Sequence, residues 1–289
     1  MKNKKRRVLI ICSVVLAIAV AVGIAVPLII NAREKSLIRK YTAQDLPNVD
    51  NVILLSHCSE VDGKTNSVAG VKEAVRLGAD AVSVDLCFRK DGTPVITDKY
   101  EESETAATLE ELYVAMNADD YKDIIIYLNI VQLSEMNKLN SITIKHNMVG
   151  RTFITGIDEA HYGMITAEST IVPFLLKYEL TDADKDAIAN GSFSVPAFIS
   201  QYGASGIEID SADATAEVIK TFNDFGIPFI VSGVDSVENF CEPLLSGAAT
   251  VYVEDIEKYS DILKDWTVAM QERHNSSVEQ SLADLKNNK

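Results

Sequence analysis

The chain has 289 residues and a formal net charge of −15. This length is enough to bury a hydrophobic core in one large domain or in two small ones. The excess of 42 acidic over 27 basic residues repels nucleic acid and anionic lipid headgroups, so neither is an expected partner of the bulk of the chain.

The N-terminal segment is expected to anchor the protein in a membrane. Residues 1–7 contain five Lys and Arg residues, and residues 8–30 contain no charged residue. A helix of that length crosses a hydrocarbon core of about 30 Å. The alternative is a cleavable signal peptide, whose apolar region is usually only about 7–15 residues long. Because basic flanking residues stay in the cytoplasm, we expect a single-pass protein of the cell membrane with its C-terminal bulk outside the cytoplasm.

After the anchor, the sequence predicts three further parts. Residues 31–50 are expected to form a polar stalk, residues 51–266 a folded domain, and residues 267–289 a polar tail that frays. In the folded domain, short apolar runs alternate with amphipathic segments. The runs predicted as strands are Val52–Ser56, Ala81–Cys87, Ile124–Ile130, Thr152–Gly156, Ile171–Leu176, Gly206–Ile209, Pro228–Ser232 and Thr250–Val253. The predicted helices include Ser67–Leu77, Thr108–Met116, Asp182–Ala189, Ala212–Phe225 and Ser236–Leu244.

This alternation indicates the fold class. Continuous apolar strands separated by helices are typical of a parallel sheet with crossover helices. Eight such units predict an α/β domain of the closed (β/α)₈ TIM-type barrel. An open doubly wound sheet is the alternative if fewer than eight strands form.

In a barrel of this type, functional side chains gather at the C-terminal ends of the strands. The first predicted strand leads into His57 and Cys58, and strand alternation places Ser83, Asp85 and Cys87 on one face of the second. An Asp-Gly turn at residues 91–92 then predicts a hairpin-like return of the chain.

Two further carboxylates follow later in the chain. Glu208 and Asp210 share a face at the end of the sixth predicted strand. They could add ligands across the barrel mouth, but we favour the alternative that they meet solvent or a loop amide.

The cysteines leave the redox state open. Cys12 lies in the apolar N-terminal segment, whereas Cys58, Cys87 and Cys241 lie in the exported part. Either one disulfide with a free thiol or three buried thiols would fit this odd number.

At these positions the sequence resembles the glycerophosphodiester phosphodiesterase family. Residues 54–99 carry the likeness, through "GADAV" before the second strand and "KDGTPV" in the hairpin, and "TLEEL" at residues 108–112 adds to it. The family shows His-Arg-Gly after the first strand, Glu-x-Asp in the second and His-Asp after the hairpin. The resemblance implies one (β/α)₈ barrel over about residues 51–266. It also implies phosphodiester hydrolysis by two histidines and a divalent cation that three carboxylates hold.

Only part of that machinery is present. His57 matches the first histidine, Asp85 one metal ligand, and Asp98 the Asp beside the second histidine. The other positions have changed. The family's Arg, Glu, second His, third metal carboxylate and Trp-Thr pair are replaced by Cys58, Ser83, Thr97, Val131 and Val231-Ser232.

Three functional hypotheses follow. The favoured one is a membrane-anchored, catalytically impaired relative that binds a glycerophosphodiester or another small ligand, or acts as a scaffold, with no cofactor certain. The second is an active phosphodiesterase in which His57 is catalytic and Mg²⁺ or Ca²⁺ is held by carboxylates at the mouth. Those carboxylates are Asp85, Asp98, Glu208 and Asp210. The third is a protein-interaction domain without a ligand.

Overall fold

The computed structural model describes residues 28–132, 134–168 and 171–287. The chain divides into two units, Met1–Gln44 and Asp45–Lys289. In the first unit, residues 28–42 form helix α1, which includes part of the predicted stalk of residues 31–50. Most of the predicted membrane span, residues 8–27, lies outside the described residues. Among the residues that are described, no helix has both the length and the apolar character needed to cross a bilayer.

The second unit is a closed barrel of parallel strands. Neighbouring strands follow the order β1-β9-β8-β7-β6-β5-β4-β2, and pairing of β1 with β2 closes the ring. The short strand β3 pairs antiparallel with the end of β2, as the predicted hairpin requires. The strands are β1 Ile53–His57, β2 Ala81–Phe88, β3 Pro94–Ile96, β4 Ile125–Ile130, β5 Thr152–Ile157, β6 Phe174–Lys177, β7 Gly206–Asp210, β8 Phe229–Val234 and β9 Thr250–Val253. The predicted (β/α)₈ fold is therefore confirmed.

Helices connect the strands on the outside of the barrel. They are α2 Val68–Leu77, α3 Leu109–Met116, α4 Met136–Lys145, α5 Tyr162–Ala167, α6 Asp182–Ala189, α7 Val195–Tyr202, α8 Ala216–Asn223, α9 Val237–Leu245 and α10 Ile256–Asn287. Several start at a hydroxyl that accepts a backbone hydrogen bond in the first turn, as Ser67 does for α2 and Thr108 for α3. Such caps satisfy amide groups that have no partner inside the helix.

The structure corrects three details of the sequence analysis. Strand β6 begins at Phe174 rather than Ile171, because Pro173 has no N–H to offer to a neighbouring strand. Helices α5 and α7 are not predicted, and both are short. The expected frayed tail is instead a continuation of α10 as far as Asn287, since residues 267–287 contain neither Gly nor Pro.

The inside of the barrel is apolar below the mouth, on the side of the N-terminal ends of the strands. Its core consists of one side chain from each of five strands: Leu55, Ala81, Tyr127, Leu175 and Ile230. Because side chains alternate along a strand, the inward-facing residues next toward the C-terminal ends line the barrel mouth. The core thus fixes which residues can form the site.

Helix α10 contains the single tryptophan of the chain, Trp266. Trp266 is fully buried, so its replacement by alanine leaves a large cavity. We expect Trp266→Ala to lower the free energy of unfolding by about 3–5 kcal/mol, measured by urea denaturation followed by circular dichroism. Val268→Ala on the same helix, where the side chain is 53% exposed, should change it by less than about 0.5 kcal/mol. Equal effects of the two variants would contradict the packing described here.

Candidate functional site

Polar side chains replace the apolar core at the C-terminal ends of the strands. On β1 the inward position after Leu55 is His57, and on β4 the position after Tyr127 is Asn129. Register places Asp85 of β2 directly beside Asn129. Three neighbouring strands therefore bring polar groups to one side of the barrel mouth.

The carboxylate of Asp85 is the centre of this group. The Nε2 atom of His57 lies 3.2 Å from Asp85 Oδ2, and the side-chain amide of Asn66 donates to the same oxygen at 2.8 Å. The side-chain amide of Asn129 donates to the other oxygen, Oδ1, at 2.5 Å. Both carboxylate oxygens of Asp85 are thus engaged by side chains from three different segments.

Asn66 is placed by the turn that leads into α2. Its φ is +51°, in the left-handed region that Asn tolerates better than most residues. The next residue, Ser67, caps the helix by accepting a hydrogen bond from the N–H of Gly70. In this conformation the Asn66 Oδ1 atom accepts a hydrogen bond from the backbone N–H of Asp85 at 2.7 Å. Asn66 therefore bonds to Asp85 of β2 through both the oxygen and the nitrogen of its side-chain amide.

The position of Asn129 depends on a glycine in the next strand. Gly156 of β5 has a φ of +75°, and a Cβ atom at this residue would lie 2.1 Å from Asn129 Oδ1. Any other residue at position 156 would therefore displace the Asn129 amide from Asp85.

The pair of His57 and Asp85 is an ion pair at neutral pH. The hydrogen bond with Asp85, followed by contact with Cys58, outweighs burial and raises the pKa of His57 to about 10. Burial acts to raise the pKa of Asp85. The hydrogen bonds from His57, Asn129 and Asn66 outweigh it and hold that pKa below its usual range. At neutral pH the His57 imidazole is therefore protonated, and the negative charge of Asp85 stabilises this form.

Cys58 takes the place of the arginine that the family resemblance implies. Its sulfur is buried, accepts the backbone N–H of Asn66 at 3.0 Å and lies 3.7 Å from His57 Nδ1. The described cysteines of the barrel, Cys58, Cys87 and Cys241, are all free and buried. Of the two alternatives left open by the sequence, three buried thiols is the one that the structure shows.

The end of β3 lies beside a polar cavity of about 810 Å³. Thr97, at the position of the second histidine, is buried, and its Oγ1 accepts the backbone N–H of Lys99 at 3.2 Å. Asp98 is exposed and lines the same cavity, together with Asn66 and Lys64. The cavity thus borders the hydrogen-bond network around Asp85 through Asn66.

The two carboxylates of β7 are in different environments. Glu208 is buried, and burial raises its pKa, with Lys177 and Ser232 as the nearest compensating groups. Asp210 is exposed and accepts the backbone N–H of Ala212 at 2.9 Å. The expectation of solvent or a loop amide is correct for Asp210 and wrong for Glu208, because the barrel interior covers the Glu208 side chain.

The described residues do not combine these groups into a metal centre. No group of three or more His, Cys, Asp or Glu side chains in this part of the chain is placed to hold a metal ion. Around Asp85 the neighbours are amide N–H groups and an imidazole, which act there as hydrogen-bond donors rather than as metal ligands. Among these residues, the surroundings of Asp85 do not fit a divalent cation.

Comparison with known proteins places the fold. No family model and no curated protein matches the sequence, whereas many solved structures match the barrel. A glycerophosphodiester phosphodiesterase from Agrobacterium tumefaciens superposes with a TM-score of 0.57 at 15% identity, over 73% of this chain and 98% of that chain. One from Parabacteroides distasonis gives 0.54 at 15% identity, over 74% and 97%.

A third structure, from Silicibacter pomeroyi, carries a provisional assignment as a glycerophosphoryl diester phosphodiesterase. It gives a TM-score of 0.58 at 16% identity, over 78% of this chain and 96% of that chain. At such identities the likeness shows the fold. The resemblance predicted from residues 54–99 is confirmed at that level: this chain has the barrel of the glycerophosphodiester phosphodiesterases.

Two residues of the site are absent from the sequence-based candidates. Asn66 and Asn129 hold Asp85, yet neither is an acid, a base or a nucleophile. The signal that could have found them is position: Asn66 directly precedes a helix cap, and Asn129 is inward-facing at a strand end beside Asp85.

The titration of His57 tests this network. We expect its imidazole to titrate near pH 10 in NMR spectra of the wild-type protein, because Asp85 stabilises the protonated ring. In Asp85→Asn the midpoint should fall toward the ordinary value of about 6.5. Since folding raises the pKa of His57, its contribution to stability is complete below about pH 6.5 and is lost as the pH rises through about 10. A wild-type midpoint near 6.5 would contradict the ion pair.

Proposed function

We propose that this chain is a membrane-anchored relative of the glycerophosphodiester phosphodiesterases that binds a small phosphodiester without hydrolysing it. The anchor in this proposal is the uncharged segment of residues 8–30, with residues 1–7 in the cytoplasm and the barrel outside it. The family part rests on the barrel fold and on the sequence likeness of residues 54–99.

One observation carries the proposal: the carboxylate of Asp85 is already saturated. A cation at this position would have to displace hydrogen bonds from His57, Asn66 and Asn129. It would also place its charge beside the protonated imidazole of His57. A hard divalent cation needs several oxygen ligands, and the described residues contain no group of three or more His, Cys, Asp or Glu side chains that could hold one.

The proton carriers that the family chemistry needs are also missing. Thr97 replaces one histidine, and its hydroxyl does not ionise near neutral pH, so it cannot act as a general acid or base. His57 keeps its proton up to about pH 10, so it is a poor general base at pH 7. Cys58 does not replace the bidentate phosphate contact of an arginine. These differences leave recognition as the role that the site supports.

The cavity beside Asn66 is the proposed ligand site. Its lining is polar, with hydroxyl and amide groups such as those of Thr97 and Asn66. The charged residues of the lining are the cations Lys64, Arg89 and Lys99 and the carboxylates Asp98, Glu102 and Glu111. The Arg89 guanidinium donates to the carbonyls of Ser103 and Ala106. Lys99 lies 3.3 Å from the carboxylate of Glu102, whereas Lys64 is an exposed cation at the rim. Hydroxyl and amide groups suit a glycerol moiety, and Lys64 suits a phosphate.

The active-enzyme alternative requires the carboxylates of Asp85 and Asp98 to meet at one cation, with help from β7. In the described part of the chain, Asp85 is held at β2 and Asp98 lines the cavity. On β7, Glu208 is buried and Asp210 accepts a loop N–H. Because these carboxylates have different partners, the arrangement supports a binding role rather than metal-dependent catalysis.

Calorimetric titration of the purified protein with glycerophosphocholine tests the proposal, with released glycerol 3-phosphate and choline measured in the same samples. We expect heat of binding and no product when Mg²⁺ or Ca²⁺ is added. Lys64→Gln should weaken binding about threefold, as the loss of one exposed charge contact implies. Lys72→Gln, which removes an exposed charge outside the cavity, serves as the matched control.

Product formation that depends on the added metal would overturn the non-hydrolytic role. Absence of binding, or equal weakening by the two lysine variants, would overturn the ligand site.

A further inference from the structure

Three side chains at the barrel mouth form a continuous row of thiol, imidazole and carboxylate. The sulfur of Cys58 lies 3.7 Å from His57 Nδ1, which is also 3.2 Å from the Cys58 carbonyl oxygen. The other ring nitrogen of His57 lies 3.2 Å from Asp85. A nucleophile beside a histidine that a third group orients is the arrangement of activated thiols in unrelated proteins. The binding role proposed above rests on the contact between His57 and Asp85 but gives no role to the Cys58 sulfur.

Backbone geometry adds to the polarity at the sulfur. The N–H of Asn66 points at Cys58 Sγ from 3.0 Å, and helix α2 begins two residues later. Hydrogen-bond donors and the start of a helix favour negative charge on a sulfur atom. In the thiol form, Cys58 can donate to Asn66 Oδ1 at 3.6 Å.

The other two described thiols of the barrel provide an internal comparison. Burial raises the pKa of Cys87, and the carboxylates of Asp85 and Asp98 raise it further. Burial raises the pKa of Cys241 to about 12, with Glu238 and Glu242 adding to the effect. Both environments oppose a thiolate. The neighbours of the Cys58 sulfur are instead the His57 imidazole and the backbone N–H of Asn66.

We propose that Cys58 is a reactive thiol and that hydrogen peroxide or another small hydroperoxide oxidises it selectively. The residue is only 3% exposed, but the adjoining His57 side chain is 33% exposed at the mouth, so the reagent that reaches the sulfur must be small.

The proposed step begins with loss of the Cys58 thiol proton to solvent, because His57 is already protonated. The Cys58 thiolate then attacks one oxygen of the peroxide, an S–O bond forms, and the O–O bond breaks. The departing hydroxide takes the proton of His57 and leaves as water. Sulfur is oxidised to a sulfenic acid and the peroxide is reduced, while Asp85 keeps the imidazole oriented.

The test compares the cysteines within one sample of the full chain. The protein is exposed to a small excess of hydrogen peroxide for increasing times, and catalase then removes the oxidant. Unfolding in dimedone traps any sulfenic acid, and peptide mass spectrometry assigns the label to each cysteine, including Cys12. We expect Cys58 to be labelled at least about tenfold faster than Cys87 and Cys241.

Labelling of Cys58 no faster than that of Cys87 or Cys241 would overturn the proposal, and this comparison needs no variant. As a second measurement, Asp85→Asn should slow labelling at Cys58 by about tenfold, because the imidazole loses its orienting partner. An unchanged Cys58 rate in a folded Asp85→Asn protein would contradict the role of the row. Because glycerophosphocholine binding is not measured in this experiment, its failure is separate from failure of the proposed ligand role.

Discussion

The mouth of the barrel depends on the satisfaction of one largely buried charge, the carboxylate of Asp85. Only 13% of its side chain is exposed, and an unpaired charge at that depth would be strongly destabilising. His57, Asn66 and Asn129 remove this cost by donating hydrogen bonds from a strand end, a helix-entry loop and the neighbouring strand. These contacts join three segments of the chain at one point and determine what the mouth can bind.

The same contacts explain how a barrel with the fold of the glycerophosphodiester phosphodiesterases can lack the surroundings of a metal centre. A cation and a hydrogen-bond donor compete for the same carboxylate oxygens, so a network that neutralises Asp85 with donors leaves no free ligand. The replacements at Ser83 and Val131 remove the carboxylates that could shift the balance toward a cation. The fold and the chemistry are thus separable: the barrel positions the strand ends, and the residues there decide the function.

Most of the barrel was predictable because hydrophobic pattern and strand position are local properties of the sequence. Strands such as Ala81–Phe88 and Thr250–Val253 are short runs rich in apolar and β-branched residues, and the hairpin at β3 follows an Asp-Gly turn. The site was only half predictable. His57 and Asp85 could be found by resemblance, but Asn66 acts through a left-handed turn and Asn129 through space that Gly156 leaves open. The positions of Asn66 and Asn129 are visible in the sequence, but their contacts with Asp85 depend on residues far apart in the chain.

Hydrogen-bond donors, and not a cation, are the partners of the Asp85 carboxylate oxygens. Anomalous X-ray diffraction from crystals of the barrel soaked in Mn²⁺ tests it most directly, because manganese takes the same oxygen ligands as Mg²⁺ and can be located by its own signal. We expect no manganese peak within bonding distance of Asp85, with His57 and both asparagine amides still in contact with its oxygens. A strong peak about 2.2 Å from an Asp85 oxygen, with these donors displaced, would contradict the account.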